Sequence, residues 1–209
     1  MSNQAQQEEV GLGKEVGEEL VIRAAKPDDA RDLARLIEIA GAGIPTWLWS
    51  GMAAPGETPL DVGERRARRE EGGFSYRNAI VAVRSGAVIG MILAYRLPPL
   101  SEDEIADAPD VLSPILELEA EVPDTWYINA FAIDEAERGH GTGSRLMDAT
   151  VDAAISAGCS QASVQFFSEN LRAGAFYRRH GFRQVGARRV VPHPALKYTG
   201  DTVLLVRDL

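Results

Sequence analysis

The chain has 209 residues, of which 45% are hydrophobic and 25% charged, a composition that suits a soluble globular protein with one sizeable core. A net charge of −9 argues against nucleic-acid binding, and no apolar run reaches the roughly 18 residues that a membrane helix needs. The polar, acidic start is typical of neither a secretory signal nor a transit peptide. We therefore expect a cytoplasmic protein without a nucleic-acid or membrane partner.

Cysteine and histidine chemistry are not expected to carry the function. The single cysteine, Cys159, cannot form an internal disulfide, which fits a reducing cytoplasm. Because it follows the helix-ending Gly158, we interpret it as a packing residue rather than a nucleophile. The three histidines are widely spaced, so we expect no metal site.

The first part of the chain predicts a tail, a strand and two helices. Residues 1–18 are rich in Gln, Glu and Gly and are expected to form a disordered or loosely attached tail, which leaves 19–209 as a single domain. A short strand at 20–24 precedes a helix that Pro27 and two acids open. Residues 61–71 predict a second, exposed helix.

The middle of the chain predicts a hairpin and an acidic loop. Two apolar strands, 78–84 and 87–97, are joined by the tight turn Ser85-Gly86. Residues 101–124 then carry nine acids and no base, with a short helix expected near 111–119. This loop either attracts a cation or is simply solvated surface.

Strands and helices alternate in the rest of the chain. A fourth strand, a helix, a fifth strand, a second helix and a closing hairpin are expected at 126–133, 144–157, 161–168, 171–180, and 182–191 with 202–207. The order β-α-α-β-β-β-α-β-α-β-β predicts an α/β fold, with one mixed sheet flanked by helices.

A glycine-rich turn, Arg138-Gly139-His140-Gly141-Thr142-Gly143, separates the fourth strand from the next helix. Glycines bring bare N–H groups close to a ligand, and a helix N-terminus adds unpaired N–H groups and a positive dipole end. We interpret the turn as a pyrophosphate site with Arg138 at its mouth, the alternative being an ordinary turn. It is not the Walker motif, because Ser144 and Arg145 follow the last glycine, and it is not the dinucleotide fingerprint.

Two motifs and the element order together resemble the GNAT superfamily of acyl-CoA-dependent N-acyltransferases. Arg138-x-x-Gly141-x-Gly143 after the fourth strand is similar to the family's R/Q-x-x-G-x-G/A motif. Asn170-x-x-Ala173-x-x-x-Tyr177-x-x-x-Gly181-Phe182 after the fifth strand is similar to its second half-motif. The resemblance covers roughly residues 20–207.

The resemblance implies both a fold and a donor. The fold is a mixed, mostly antiparallel sheet of six or seven strands with about four flanking helices, in which a β-bulge splays strands four and five apart. The donor is acetyl-CoA or another acyl-CoA, whose pantetheine lies in the gap and pairs with backbone of the fourth strand. The cofactor-binding residues carried over are Phe131, Ala132, Ile133, Arg138, Gly139, His140, Gly141, Thr142, Gly143, Ser144, Asn170 and Tyr177.

Tyr177 and Asn170 each have two interpretations. Tyr177 corresponds to the family's general acid, which protonates the leaving thiolate, and the alternative is a tyrosine packed in the core. Asn170 corresponds to a residue that contacts the pantetheine or the last turn of the cofactor site. Asn is also a favoured N-cap, and one side chain can do both.

The general base is the least defined part of this hypothesis. Some family members use a Glu on the fourth strand, and the matching position here is Tyr127. Glu119, Glu121 and Asp124 are near in sequence, and we take Glu121 as the candidate catalytic base. Asn129 could instead place a water, and a water relay without a single base is equally compatible with the sequence.

Four aromatic residues are candidates for an acceptor pocket, with plain core residues as the alternative: Trp47, Trp49, Phe74 and Tyr76. The two tryptophans lie in a stretch without a clear period. Acids and aromatic faces both attract ammonium groups, so the acidic loop and these rings predict a cationic, partly apolar acceptor.

The resulting hypothesis is an N-acetyltransferase that moves an acetyl group from acetyl-CoA directly to a primary amine, in one ternary complex. The amine belongs to a small molecule or to a protein. A non-catalytic acyl-CoA-binding sensor or scaffold is the alternative, and the sequence does not exclude transfer to a hydroxyl or of a longer acyl group. The resemblance also suggests a homodimer.

Overall fold

A seven-stranded mixed sheet lies at the centre of residues 19–209, which are the residues that the structure, a computed structural model, describes. The predicted tail, residues 1–18, lies outside the described residues. The strands are β1 Val21–Ala24, β2 Ala79–Arg84, β3 Ala87–Arg96, β4 Trp126–Ile133, β5 Gln161–Phe167, β6 Arg183–Arg189 and β7 Asp201–Asp208. They follow the order β1-β2-β3-β4-β5-β7-β6, and β4 and β5 are parallel while the other neighbours are antiparallel. The predicted fold class is confirmed.

Seven helices flank this sheet in the described part of the chain. They are α1 Ala30–Gly41, α2 Ile44–Ser50, α3 Pro59–Ala67, α4 Glu102–Ala106, α5 Ser113–Ala120, α6 Thr142–Ser156 and α7 Leu171–Arg179. On one face, α1 and α3 bury Leu33, Leu36 and Val62 against β2, β3 and β4. On the other face, α6 and α7 bury Leu146 and Tyr177. Two apolar layers therefore hold the sheet between them.

The structure has more helices than the roughly four that the family resemblance implies. Besides the short helix expected near 111–119, the additional helices are α2 and α4, and both are very short. Helix α2 has seven residues, with Pro45 in its first turn and Trp49 buried. A helix of about two turns repeats its apolar face too few times for periodicity to reveal it. None of the helices in the described part is long and apolar enough to span a bilayer.

Strands β4 and β5 pair only at their beginnings. Trp126, Tyr127 and Ile128 lie opposite residues 162–164, and both strands then continue without pairing to each other. A β-bulge leaves Asn129 without a partner residue on β3, which bends β4 where this pairing ends. The predicted bulge and splay are both present, and the gap between the strands is open to a ligand.

Helix α5 is fixed to the sheet at two places. Gln165 of β5 donates from its Nε2 to a backbone carbonyl of α5 at 3.0 Å. Arg188 of β6 donates to Glu117 at 3.2 Å and to Glu121 at 2.5 Å. Residues four apart share one helix face, so the residue midway between them, Glu119, lies on the other face.

A small apolar cluster connects the loop between β6 and β7 to the start of α2. Val190 and Leu196 of this loop pack with Ile44 and with Val111, which precedes α5. The Lys197 N–H also donates to the carbonyl of the α1–α2 turn at 3.1 Å. The loop between β6 and β7 therefore borders the gap between β4 and β5, and its residues Lys197 and Tyr198 line it.

Candidate active site

A cleft with a volume of about 980 Å³ occupies the region where β4 and β5 separate. What we call the turn end is lined by the second half of β4, the glycine-rich turn and α7, and includes Ile133, Arg138, Gly141, Ser144 and Arg179. What we call the α5 end is lined by α2, α3, α5 and the first half of β4, and includes Trp49, Arg66, Phe74, Tyr95, Glu119 and Tyr127. The two ends differ in chemistry and are described in turn.

The backbone of β4 presents polar groups to the gap. The Asp134 N–H donates to Ile89 of β3 at 2.9 Å, and polar groups of successive strand residues alternate between the two neighbouring strands. Phe131 and Ile133 therefore direct their N–H and C=O groups to the side of β5, where β5 no longer pairs. The Ile133 carbonyl accepts a 2.9 Å hydrogen bond from Arg138 Nε. The other groups remain open to the amides of an extended ligand.

The glycine-rich turn has a backbone conformation that favours glycine. Gly139 and Gly141 have φ angles of 89° and 83°, in the left-handed region. A Cβ built on either residue would meet no heavy atom within 4 Å, so both positions border open space. Gly141 is also the N-cap of α6 and supplies no side-chain cap. The N–H groups of the first helical turn are therefore bare.

Three arginines line the turn end: Arg138 from the turn, and Arg172 and Arg179 from α7. None of them forms an ion pair with an acid among residues 19–209. Guanidinium groups without counterions, arranged around bare N–H groups at a helix N-terminus, fit a polyanion such as a diphosphate. This end of the cleft is therefore suited to the diphosphate of a coenzyme A derivative.

The remaining residues of the turn contribute mainly through backbone and packing. A Cβ on Gly143 would lie 3.2 Å from both Ile133 and Phe176, so this glycine allows α6 to pack closely on the sheet. Thr142 is buried, His140 is exposed, and neither lines the cleft. If these two residues contact a cofactor, their N–H groups provide the contact.

Ser144 connects the first turn of α6 to the end of α7. His180 Nδ1 lies 2.9 Å from the Phe176 carbonyl oxygen, and His180 Nε2 lies 3.2 Å from Ser144 Oγ. When Nδ1 donates to the carbonyl, Nε2 of the neutral ring accepts from the Ser144 hydroxyl. This contact braces the turn end, and the sequence motifs did not reveal it.

Asn170 caps a helix and also lines the cleft. Its Oδ1 accepts from the Ala173 N–H at 3.1 Å, at the N-cap of α7. No group in the described part of the chain engages its Nδ2, which leaves two donors for a ligand. The geometry is compatible with both interpretations of this residue.

Tyr177 lies among four phenylalanine rings beside the gap. Phe131, Phe166, Phe176 and Phe182 have ring centroids 5.7 to 6.4 Å from that of Tyr177. The residue is 5% exposed and lines the cleft, and no described group hydrogen-bonds its hydroxyl. Burial raises the pKa of this phenol, so Tyr177 stays protonated at neutral pH.

Among the described residues, Glu119 is the one carboxylate that lines the cleft. It is 8% exposed, and burial raises the pKa of its carboxyl from 4.5 to about 7, an effect that the phenol of Tyr127 partly offsets. Tyr127 and Tyr95 lie edge to face with centroids 6.1 Å apart, and burial beside Glu119 raises the pKa of both phenols. Helix α5 thus places a carboxylate next to Tyr127, the position where the family resemblance implied a Glu.

Glu121, the candidate base from the sequence, lies outside the cleft. Its side chain is 41% exposed and pairs with Arg188 at 2.5 Å on the outer side of α5. Asp124 is exposed and does not line the cleft, whereas Asn129 does. A base must reach the reacting amine directly or through one water, so the geometry favours Glu119 over Glu121.

The four candidate aromatic residues divide into two pairs. Trp49 and Phe74 line the α5 end of the cleft. Trp47 packs on His193 with ring centroids 4.5 Å apart, and Tyr76 lies in the short 3₁₀ turn before β2, so neither reaches the cleft. Only the first pair is placed to contact an acceptor.

The position of Glu119 has a signal in the sequence. Leu112, Ile115, Leu116 and Glu119 all line the cleft, at the spacing i, i+3, i+4, i+7 of one helix face. An acid at an apolar position of a predicted helix is a candidate for burial. Arg172 and Arg179 have no comparable signal, because an arginine on a helix surface has the same local sequence whether or not a cleft lies beside it.

Comparison with known protein families gives one match. The model of the acetyltransferase (GNAT) family matches residues 46–182. The comparison with curated proteins gives no match.

Several solved acetyltransferase structures share the fold. An N-acetyltransferase from Staphylococcus aureus Mu50 is 21% identical, with a TM-score of 0.61 over 89% of this chain and 99% of that chain. A polyamine N-acetyltransferase from Drosophila melanogaster, which catalyses the formation of N-acetylagmatine, is 17% identical, with a TM-score of 0.64 over 91% and 100%. An agmatine N-acetyltransferase in its apo form is 18% identical, with a TM-score of 0.61 over 91% and 99%.

The sequence match and the architecture agree. The matched residues make up more than half of the chain and contain α3, the splayed β4 and β5, the glycine-rich turn and α7. At the identities of the solved structures, likeness shows the fold alone, and the family match supplies the rest. The chain belongs to the acetyltransferase (GNAT) family and is an enzyme of the acyltransferase class.

Proposed function

We propose that this acetyltransferase moves an acetyl group from acetyl-CoA directly to the primary amine of a small molecule, within one ternary complex. The observation that carries the proposal is that a buried carboxylate, Glu119, and a buried phenol, Tyr177, line the same cleft. Amine acetylation needs a group that accepts a proton from the nucleophile and a group that donates one to the leaving thiolate. The cleft supplies one of each.

The turn end is proposed to hold the coenzyme A part of the donor. Bare N–H groups at the start of α6, together with Arg138, Arg172 and Arg179, suit its diphosphate. The backbone groups of Phe131 and Ile133 suit the amides of its pantetheine arm. When bound, acetyl-CoA supplies the thioester that the amine attacks.

Glu119 is proposed as the general base in place of Glu121. A primary ammonium group has a pKa near 10.4 and is not a nucleophile until it loses a proton. A carboxylate with a pKa of about 7 is a stronger base than one at 4.5, and about half of it is ionised at neutral pH. Asn129, at the bulge and in the cleft lining, is placed to hold a relaying water.

Tyr177 is proposed as the general acid. Its raised pKa keeps the phenol protonated, and its apolar surroundings disfavour a charged thiolate beside it. Direct transfer is supported by Cys159, which is buried and does not line the cleft. A side chain in that place is not available as an acetyl carrier.

The acceptor is proposed to be small because the α5 end is walled on several sides. Helices α2, α3 and α5 line it, and the loop between β6 and β7 lies across its side. The agmatine and polyamine N-acetyltransferases with the same fold act on small amines, which supports this assignment.

Three measurements test the proposal. Calorimetry should show that acetyl-CoA and its desulfo analogue bind, and an assay of thiol release across primary amines should show turnover only when an amine is present. Mass spectrometry of the protein after incubation with acetyl-CoA alone should show no added acetyl group. Binding without turnover on any amine would favour a non-catalytic acyl-CoA sensor, and no binding would reject the proposal.

A further inference from the structure

One arginine at the α5 end has no counterion in the described part of the chain. Arg66 of α3 lines the cleft, with its guanidinium carbon 5.2 Å from the centroid of the Phe74 ring. Its Nη1 lies 3.6 Å from the sulfur of Met52, and its Nε is buried without a hydrogen-bond partner among residues 19–209. The guanidinium of this cleft-lining residue therefore keeps unused donors.

Other arginines near the same helix are paired at the surface. Arg65 donates to Glu57 at 3.1 Å, and Arg68 donates to Glu64 at 2.9 Å. Arg66 differs because burial lowers its pKa, and the neighbouring positive charges lower it further. A partly buried cation without an anion is unfavourable unless a ligand supplies the anion, and such groups cluster at binding sites.

An aromatic surface connects Arg66 to Glu119. Phe74 lies against Arg66, and a Cβ on the adjoining Gly73 would lie 3.1 Å from the Tyr95 hydroxyl, so the backbone next to Phe74 lies against Tyr95. The charge of Glu119 in turn raises the pKa of Tyr95, after burial, so these two groups are close. The α5 end thus has a cation, an aromatic wall and a carboxylate in that order.

We infer that the acceptor is a zwitterionic amine, an amino acid or related compound, whose ammonium group faces Glu119 and whose carboxylate or other oxyanion pairs with Arg66. This inference rests on the proposed function and names the substrate class of the same site. Such a ligand supplies a partner to each buried charge, and its hydrocarbon part lies on the aromatic wall.

The charges that line the cleft support this class over a purely cationic acceptor. Of the nine acids between residues 101 and 124, only Glu119 lines the cleft. After the three arginines of the turn end, Arg66 and Lys197 are the other cations in the lining. A polycation would meet Arg66 without compensation, whereas an oxyanion is attracted to it.

The test compares matched acceptors and matched variants. Amino acids of increasing separation between amine and carboxylate are assayed by thiol release, each beside its own primary amide. For the best pair, kcat/KM of the carboxylate should exceed that of the amide by about tenfold to a hundredfold, the range of a charge-assisted hydrogen bond. Arg66→Met, which keeps an apolar stem beside Phe74, should remove this preference, so that the ratio of kcat/KM between carboxylate and amide falls to about one.

The control is Arg69→Met, which removes a positive charge close to Arg66 from an exposed side chain outside the cleft. This variant should keep the preference for the carboxylate. An amide acetylated as well as its carboxylate by the unaltered enzyme would overturn the inference. A carboxylate preference that persists in Arg66→Met would overturn it as well.

A binding measurement keeps this inference separate from the proposed function. If coenzyme A binds but no amine causes release of its thiol from acetyl-CoA, the proposed chemistry fails. The anion site can then still be tested alone. Calorimetry of the CoA-loaded protein should show 3-phenylpropionate binding at least about tenfold more tightly than 3-phenylpropionamide, and this difference should vanish in Arg66→Met. Equal affinities of the two compounds for the unaltered protein would reject the anion site.

Discussion

Glu119 and Glu121, two residues apart at the end of α5, lie on opposite sides of that helix. Glu121 pairs with Arg188 at 2.5 Å on the outer surface, and Glu119 lines the cleft with 8% of its surface exposed. Two residues correspond to about 200° of helical rotation, so the contact that holds Glu121 outside also holds Glu119 inside. Arg188 thereby positions the candidate base without touching the cleft.

The first prediction concerns Glu119→Gln, which removes the proton acceptor and keeps the shape of the side chain. The acetylation rate kcat should fall by about 10²- to 10⁴-fold, the usual contribution of a general base. The affinity for acetyl-CoA should not change, because the turn end of the cleft is intact. Steady-state thiol release and calorimetry measure the two quantities.

The matched control for this prediction is Glu121→Gln. It removes the same charge two residues away, from a side chain that pairs with Arg188 outside the cleft. Its kcat should stay close to that of the unaltered enzyme. If Glu121→Gln lost activity and Glu119→Gln kept it, the original candidate base would be correct and the present assignment wrong.

The second prediction is the pH dependence of the reaction. Glu119 acts as a base only when ionised, and burial raises its pKa to about 7. The value of kcat/KM should therefore rise with pH below about 7 and level off above it. A pH–rate profile between acid and mildly alkaline solution measures this, and the same limb should be missing from Glu119→Gln. A limb near the ordinary carboxyl pKa of 4.5 would contradict burial of the ionising group.

The third prediction concerns stability without ligand. The folded state holds the Glu119 proton more tightly than the unfolded chain, since its pKa is about 7 rather than 4.5. The raised pKa of Glu119 therefore adds about 3 kcal/mol to the free energy of unfolding below pH 4.5. This contribution is lost as the pH rises through about 7. Relative to the unaltered protein, Glu119→Gln should gain free energy of unfolding with rising pH over this range. Urea denaturation at pH 5 and pH 8 should show the difference, and a constant difference would contradict it.

The fourth prediction is that Tyr177→Phe separates catalysis from binding. The ring and its packing among the phenylalanines remain, and the proton donor is lost. We expect kcat to fall by about 10²-fold or more while the dissociation constant of acetyl-CoA holds. Tyr76→Phe, at a position outside the cleft, is the control and should retain full activity. Equal activity of the two variants would reject a general-acid role for Tyr177.

The fifth prediction is that Gly141→Ala weakens coenzyme A binding. Alanine at a φ of 83° strains the backbone by about 1 to 2 kcal/mol, and its methyl group would enter the open space beside the bare N–H groups. The protein should melt at a lower temperature, and its affinity for coenzyme A should fall. Calorimetry and thermal unfolding measure the two effects.

Gly56→Ala separates the strain from the loss of binding. Gly56 has a φ of 85°, and a Cβ there would also meet no heavy atom within 4 Å, so the strain is matched while the site lies outside the cleft. This variant should lose similar stability and keep its affinity for coenzyme A. Unchanged coenzyme A binding in Gly141→Ala would place the diphosphate elsewhere.

Part of the candidate site was predictable because it depends on neighbours in the chain. Gly139 and Gly141 adopt positive φ angles because the turn between β4 and α6 requires them, and that requirement is visible in the spacing of the glycines. Asn170 precedes a helix in the sequence and caps it in the structure. The roles of these residues toward acetyl-CoA stay predictions, since each rests on the geometry of a ligand site.

The sequence by itself determined the order of the strands and the longer helices, the glycine-rich turn and the family, because alternating apolar positions and turn residues act over a few neighbouring residues. Only the tertiary structure decided which charges enter the cleft. Glu119, Arg66 and Tyr127 come from α5, α3 and β4, and no local pattern states that these three elements meet. The acids that surround Glu119 in the sequence remain outside, because the contacts of α5 with β5 and β6 turn a single carboxylate inward.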